Sequence, residues 1–107
     1  MYVLNHTDTA KSEIDGILEY LSQYYESTPK KFAAKLNEGF AILKKTPYLF
    51  PVYEHNPEYR RMVVNDYLVF YKVFENPCRV EIHRVLHSAR DITRLLAYSK
   101  SWDKKIN

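Results

Sequence analysis

The sequence predicts an α+β domain: an N-terminal helical hairpin packed on a mainly antiparallel, twisted β-sheet, in the order β-α-α-β-β-β-α. Three observations predict it. Two stretches carry apolar residues at helical spacing, and they lie next to each other in the first half of the chain. Three short β-branched and aromatic stretches fill residues 60–86, separated by turn residues. Between the halves lies a segment holding Pro47, Pro51 and Pro57, where fixed φ and missing donors disfavour regular structure. At 107 residues the chain is one domain with one modest core. We place the domain at residues 1–98 and a polar, basic tail at 99–107.

Each element follows from its residues. Tyr2-Val3-Leu4-Asn5 reads as a short first strand. Thr7 and Asp8 offer N-cap oxygens, after which Ala10, Ile14, Ile17, Leu18 and Leu21 form one helical stripe that Tyr24 extends. Gly16 sits inside this helix and weakens it by about 1 kcal/mol relative to Ala. Ser27-Thr28-Pro29 reads as a second start, with Thr28 capping and Pro29 at the first helical position, where its missing N–H costs nothing. Phe32, Ala33, Leu36, Phe40 and Leu43 form the second stripe, and Pro47 ends it. Arg60–Val64 is a short strand, and Asn65-Asp66 is a tight turn. Residues 67–74 are apolar on both alternations, which predicts a central strand buried on both faces. Glu75-Asn76-Pro77 turns the chain into an alternating strand over 79–86. A last short helix follows Ser88 or Asp91 and buries Ile92, Leu95 and Leu96.

Composition narrows the function. Apolar residues make up 46% and charged residues 27%, which predicts a folded, soluble chain and excludes disorder. Ten Tyr suit a partly wet binding surface as well as a core. A net charge of +3 fits nucleic acid or an acidic partner, and equally an ordinary solvated surface. The single cysteine, Cys78, has no disulfide partner and is expected to be partly buried at a strand start. The N-terminus lacks a signal-peptide pattern, and no apolar run spans a bilayer, so we expect a cytoplasmic protein without a membrane partner. No cofactor and no metal site is expected: the only glycines, Gly16 and Gly39, form no phosphate loop.

The residues that carry chemistry lie in the second half. Strict alternation in the last strand puts Val80, Ile82, Arg84 and Leu86 on one side and Glu81, His83 and Val85 on the other. A guanidinium among apolar neighbours is either clamped by a carboxylate, such as Asp91, or opens onto a cleft where its planar fork meets phosphate. His83 and His87, four apart in a strand, are expected to face the same way and to titrate near neutrality. Arg60, Arg61, Arg84 and Arg90 are expected to converge across strand ends as a target- or nucleic-acid-binding patch, interleaved with Tyr59, Tyr67 and Tyr71. Tyr67 and Tyr71, on the central strand, read more readily as core residues. Lys44 and Lys45 read as solvated charges at a helix C-terminus.

Four stretches in order carry a family pattern: Tyr59-Arg60-Arg61, then residues 67–73 (YLVFYKV), then 80–87 (VEIHRVLH), then Arg90-Asp91. This series resembles the RelE/ParE superfamily of toxins, also called plasmid-stabilisation proteins, and the likeness extends over residues 1–97. The resemblance implies a helical hairpin on a twisted sheet. It implies a cognate antitoxin, encoded alongside, that wraps the toxin with a helix and an extended segment in a hetero-oligomer. A homo-oligomer is also compatible with it. It implies one of two targets: RelE-like members cleave mRNA on the ribosome, and ParE-like members poison DNA gyrase without catalytic residues of their own.

The ParE-like branch fits this chain better. RelE-like nucleases use clustered basic residues with a Tyr or His near the C-terminus to activate the 2′-hydroxyl and stabilise the phosphorane. Arg60, Arg61, Arg84 and His87 fall where such residues lie, so Arg84 and His87 are the catalytic candidates if this chain is a nuclease. The sheet, however, carries no Lys cluster, and Ser88 rather than Tyr follows His87. The leading expectation is therefore a growth-arresting toxin that binds gyrase. The rivals are a ribosome-dependent endoribonuclease and a non-toxic family member that only binds antitoxin.

Overall fold

A computed structural model describes residues 1–91 of the chain. The elements are β1 (Val3–His6), α1 (Asp8–Leu21), α2 (Ser27–Lys45), β2 (Arg60–Val64), β3 (Tyr67–Glu75) and β4 (Cys78–His87). The expected last helix, with Ile92, Leu95 and Leu96, and the tail at 99–107 lie outside the described residues. The four strands form one sheet in the order β1-β4-β3-β2. β2, β3 and β4 make the expected antiparallel meander, and β1 adds parallel to β4 with Val3 opposite Arg79 and His6 opposite Ile82. The fold is the α+β arrangement expected, with both helices following the first strand.

α1 begins where its cap predicts. The Thr7 hydroxyl accepts from the Ala10 N–H at 3.1 Å and donates to the His83 carbonyl at 3.2 Å, so one side chain both starts the helix and ties it to β4. α2 begins earlier than expected. Its N-cap is Glu26, with no side-chain cap, and Thr28 lies inside the first turn rather than capping it. The Tyr25 carbonyl already takes the Thr28 N–H at 3.1 Å. α2 stops at Thr46, whose N–H and hydroxyl both reach the Ile42 carbonyl.

The core lies between the helices and the sheet. Ala10 and Ile17 of α1 and Phe32, Leu36, Phe40 and Leu43 of α2 pack on Met62, Val64, Tyr67, Val69, Tyr71, Val80, Ile82 and Val85. A second, smaller cluster occupies the opposite face of the sheet: Tyr53, Tyr59, Phe70 and Leu86, with Leu68 against them. β3 is therefore covered on both faces, as its composition predicts. The 47–58 segment supplies the cover on the second face. It folds back so that the Tyr53 N–H donates to the Tyr59 carbonyl at 2.8 Å and the Arg61 N–H to the Pro51 carbonyl at 3.0 Å.

Two corrections to the last strand come from a single irregularity. Pairing steps from Phe70 opposite Arg84 to Tyr71 opposite Ile82, which leaves His83 as the extra residue of a β-bulge. A bulge inverts the alternation beyond it. Val85, not Leu86, joins Val80 and Ile82 under the helices, while Arg84 and Leu86 share the face of Phe70 and Leu68. His83 and His87 consequently face opposite ways: His83 meets the Tyr59 ring at 5.3 Å, and His87 meets Tyr67 at 5.1 Å. Cys78 is exposed rather than partly buried, with its thiol 3.4 Å from the Glu75 carbonyl oxygen.

Candidate functional site

The geometry around Arg84 follows from where β1 stops. β1 ends opposite Ile82, so β4 from residue 83 onward has no strand on that side. An edge of this kind leaves backbone groups to satisfy. Side chains take them: Thr7 donates to the His83 carbonyl, Glu13 accepts the Val85 N–H at 2.9 Å, and Asp91 accepts the His87 N–H at 2.8 Å. Glu13 then reaches the Arg84 guanidinium as well, with Nε 3.1 Å and Nη2 2.8 Å from Oε2. This is a two-pronged Arg–carboxylate pair, and Arg84 is only 5% exposed. The expected carboxylate clamp is present, but Glu13 of α1 provides it. Asp91 instead holds the backbone at the end of β4.

The four candidate arginines divide into separate environments. Arg61 and Arg84 lie on one face, each opposite Phe70 from its own side of β3. Arg60 is paired with Tyr71 and points the other way. Its guanidinium donates to the Phe50 carbonyl at 2.7 Å and lies 4.9 Å from the centre of the Tyr48 ring, so it braces the loop that follows α2. Arg90, beyond β4, stacks 4.3 Å from the Tyr20 ring of α1 and donates to the Tyr67 hydroxyl at 2.8 Å. The structure thus brings Arg90 beside His87, puts Arg61 and Arg84 two strands apart on one face, and does not gather all four.

Tyr67 and Tyr71 are buried, as core residues of the central strand should be, and Tyr59 is buried too, so none of the three interleaves with an exposed basic patch. Burial pushes the Tyr71 hydroxyl up to about 12, and it donates to the Pro47 carbonyl at 2.7 Å. Burial also raises Tyr67, against the opposing pull of Arg90. On the Phe70 face a polar chain runs from Arg79 to Glu81, His83 and Tyr59. Arg79 Nε lies 3.2 Å from Glu81 Oε2, Glu81 Oε1 lies 3.2 Å from His83 Nε2, and His83 Nδ1 lies 3.4 Å from the Tyr59 hydroxyl. For Glu81, burial raises the carboxyl, but hydrogen bonds from Arg79 and His83 outweigh it and hold the group low.

His87 has a defined tautomer. Its Nδ1 accepts the N–H groups of Ala89 and Arg90 at 3.1 and 3.0 Å, so the neutral ring carries its proton on Nε2. His87 and Arg90 line a cleft of about 480 Å³ with Tyr20, Tyr24, Tyr25 and Tyr67 at the turn that joins the two helices. Sequence reasoning named the basic residues and missed the aromatic wall. Its signal was available: Tyr20 and Tyr24 are one helical turn apart, and their hydroxyls meet at 2.7 Å. Glu13 was missed too, although it sits three residues after Ala10 and four before Ile17, on the buried stripe of α1. Among the described residues, no group of three His, Cys, Asp or Glu is placed to hold a metal ion. No helix among them is long and apolar enough to cross a membrane.

Fold and site define a small α+β protein in which a helical hairpin covers one face of a four-stranded sheet and basic side chains flank the other end of β4. Residues 4–92 match the family model described as ParE toxin of type II toxin-antitoxin system, parDE. The chain belongs to this family of ParE toxins, within the wider RelE/ParE superfamily. No curated protein matches it by sequence. Among solved structures, it is similar to a chain of a chromosomal ParDE toxin–antitoxin system from P. aeruginosa. The TM-score is 0.69 at 16% identity, over 81% of this chain and 96% of that one. It is also similar to a chain of the RelBE2 toxin–antitoxin complex from Mycobacterium tuberculosis. There the TM-score is 0.61 at 20% identity, over 80% of this chain and 96% of that one. At these identities the likeness is one of fold.

Proposed function

We propose that this toxin arrests growth by binding DNA gyrase directly, and that a cognate antitoxin neutralises it in a cytoplasmic hetero-oligomer. The observation that supports direct binding over RNA cleavage is the state of Arg84. A phosphoryl-stabilising arginine needs its fork directed at the substrate. Here Glu13 occupies that fork, and the pair lies between α1 and β4 with the Arg84 side chain only 6% exposed. His87, the other catalytic candidate, spends Nδ1 on two backbone N–H groups. A gyrase-binding toxin makes no such demand on either residue. The cognate antitoxin follows from the family and from the two solved systems, each of which is a toxin–antitoxin pair by description.

One observation favours a second reading, the ribosome-dependent endoribonuclease: Arg61 and Arg84 occupy register positions on either side of Phe70 on one face of the sheet. One induction separates the readings. Supercoiling by purified gyrase and cleavage of a defined mRNA on ribosomes are followed together with growth. Loss of supercoiling with intact mRNA is the expected result. Codon-phased cleavage with normal supercoiling would replace gyrase with the ribosome as the target. Growth unaffected by a folded toxin that still binds its antitoxin would leave a non-toxic family member.

A further inference from the structure

The cleft at the turn between the two helices carries the guanidinium of Arg90. Arg90 has no carboxylate within ion-pair distance among the described residues. Arg90 is exposed, and its guanidinium is held in place by the Tyr20 ring 4.3 Å from its central carbon and by one Nη2–H on the Tyr67 hydroxyl. An arginine uses five N–H donors, and here the phenol takes one. Beside it, the His87 Nδ1 contacts make Nε2 a second donor on the same lining. The wall opposite is aromatic and open to solvent: Tyr24 is 59% and Tyr25 74% exposed. Exposed tyrosines around a fixed arginine are the composition of interface hot spots, because they combine large rigid area with low side-chain entropy.

We propose that this cleft docks a protein partner, and that it receives a segment presenting a carboxylate beside an apolar side chain. The carboxylate pairs with Arg90 and the apolar group lies against the tyrosines. Charge favours this occupant over nucleic acid. Asp66 also lines the cleft, so one anion offsets the one arginine, and a polyanion gains little from such a surface. A single carboxylate delivered to Arg90 gains a charge-assisted hydrogen bond to a guanidinium already fixed in place. The proposal rests on the reading of this toxin as one that acts through protein contacts.

The test uses the full chain and three small probes in NMR titrations: 3-phenylpropionate, its uncharged amide and adenosine monophosphate. We expect 3-phenylpropionate to shift the ring signals of Tyr20, Tyr24, Tyr67 and His87. We expect the amide to bind about tenfold more weakly, the effect of losing one charge-assisted hydrogen bond. Arg90→Gln, checked for an unchanged spectrum elsewhere, is expected to erase the difference between acid and amide. Equal binding of acid and amide, tighter binding of the nucleotide, no shift at these rings, or an undiminished preference in Arg90→Gln would each overturn the proposal. These readouts involve neither gyrase nor growth. A negative supercoiling assay would therefore count against gyrase as the target without touching the cleft, and a negative titration would do the reverse.

Discussion

Glu13 on α1 and Arg84 on β4, 71 residues apart in the chain, close into a pair in which one carboxylate binds both the guanidinium fork and the neighbouring Val85 N–H. The pair exists because β1 ends opposite Ile82 and leaves the far half of β4 without a strand. A carboxylate from the covering helix takes the place of the missing carbonyl. Removing Glu13 takes its two-pronged carboxylate from an arginine that is only 5% exposed. Glu13→Ala is therefore expected to cost about 3–5 kcal/mol of stability, read as a lower urea midpoint with unchanged slope. A loss below about 1 kcal/mol, the range of an exposed pair, would mean that water reaches the site.

The two glycines predict opposite outcomes for the same substitution. A Cβ on Gly39 would lie 2.7 Å from Met62 Cε and 2.9 Å from its Sδ, where α2 presses on β2. Met62 is itself buried, which limits where its tip moves. Overpacking costs about 1–3 kcal/mol and exceeds the gain in helix propensity, so Gly39→Ala should lower the melting temperature. A Cβ on Gly16 meets nothing within 4 Å. Gly16→Ala should therefore raise stability by up to about 1 kcal/mol, the propensity difference alone. Calorimetry of both variants checks the pair.

His6 gives the fold a dependence on mild acid. It packs edge-on against Phe40 at 5.0 Å, and burial, with Lys11 adding repulsion, holds its pKa below the ordinary 6.5. Well above that value the ring is neutral in both states and contributes nothing. As pH falls through it, the unfolded chain takes up a proton that the folded chain resists, so stability drops. The loss ends once the folded ring protonates too. Denaturant midpoints measured from pH 7.5 to pH 5 should decline more steeply for the unaltered chain than for His6→Leu. Parallel curves would show that His6 titrates alike in both states.

Residues 60–64 and 67–74 were legible as strands because β-branched and aromatic residues fit a pleated, buried surface regardless of partner. The cap at Thr7 was legible because capping is local. What was hidden depended on non-local events. The bulge at His83 carries no marker in the strand itself, and it alone reverses the sides of Arg84, Leu86 and His87. The N-cap of α2 moved to Glu26 because a turn at Tyr25 already supplied helical geometry before Thr28. The pairing of Arg84 with Glu13 rather than Asp91 was set by where β1 ends, a fact of sheet order. The separation of Arg60 from Arg61 needed only the alternation of one strand, and their joint placement in a patch overlooked it.

Replacing the Glu13–Arg84 pair as a unit separates its structural role from any catalytic one. In Glu13→Gln with Arg84→Met, neither charge remains to be stranded. The Gln oxygen still accepts the Val85 N–H, and Met fills the space of the arginine stem. Uncharged replacements of buried ion pairs are often nearly neutral, and the amide N–H groups add about 1–3 kcal/mol if they find no partner. The double variant should thus be more stable than Glu13→Ala. If the toxin acts by docking, this variant should still arrest growth and inhibit supercoiling, because the Arg84 side chain is almost wholly buried and its fork is turned to Glu13. If Arg84 stabilises a phosphorane, activity should fall by orders of magnitude while the fold persists. A folded but inactive double variant would move the assignment from gyrase to RNA.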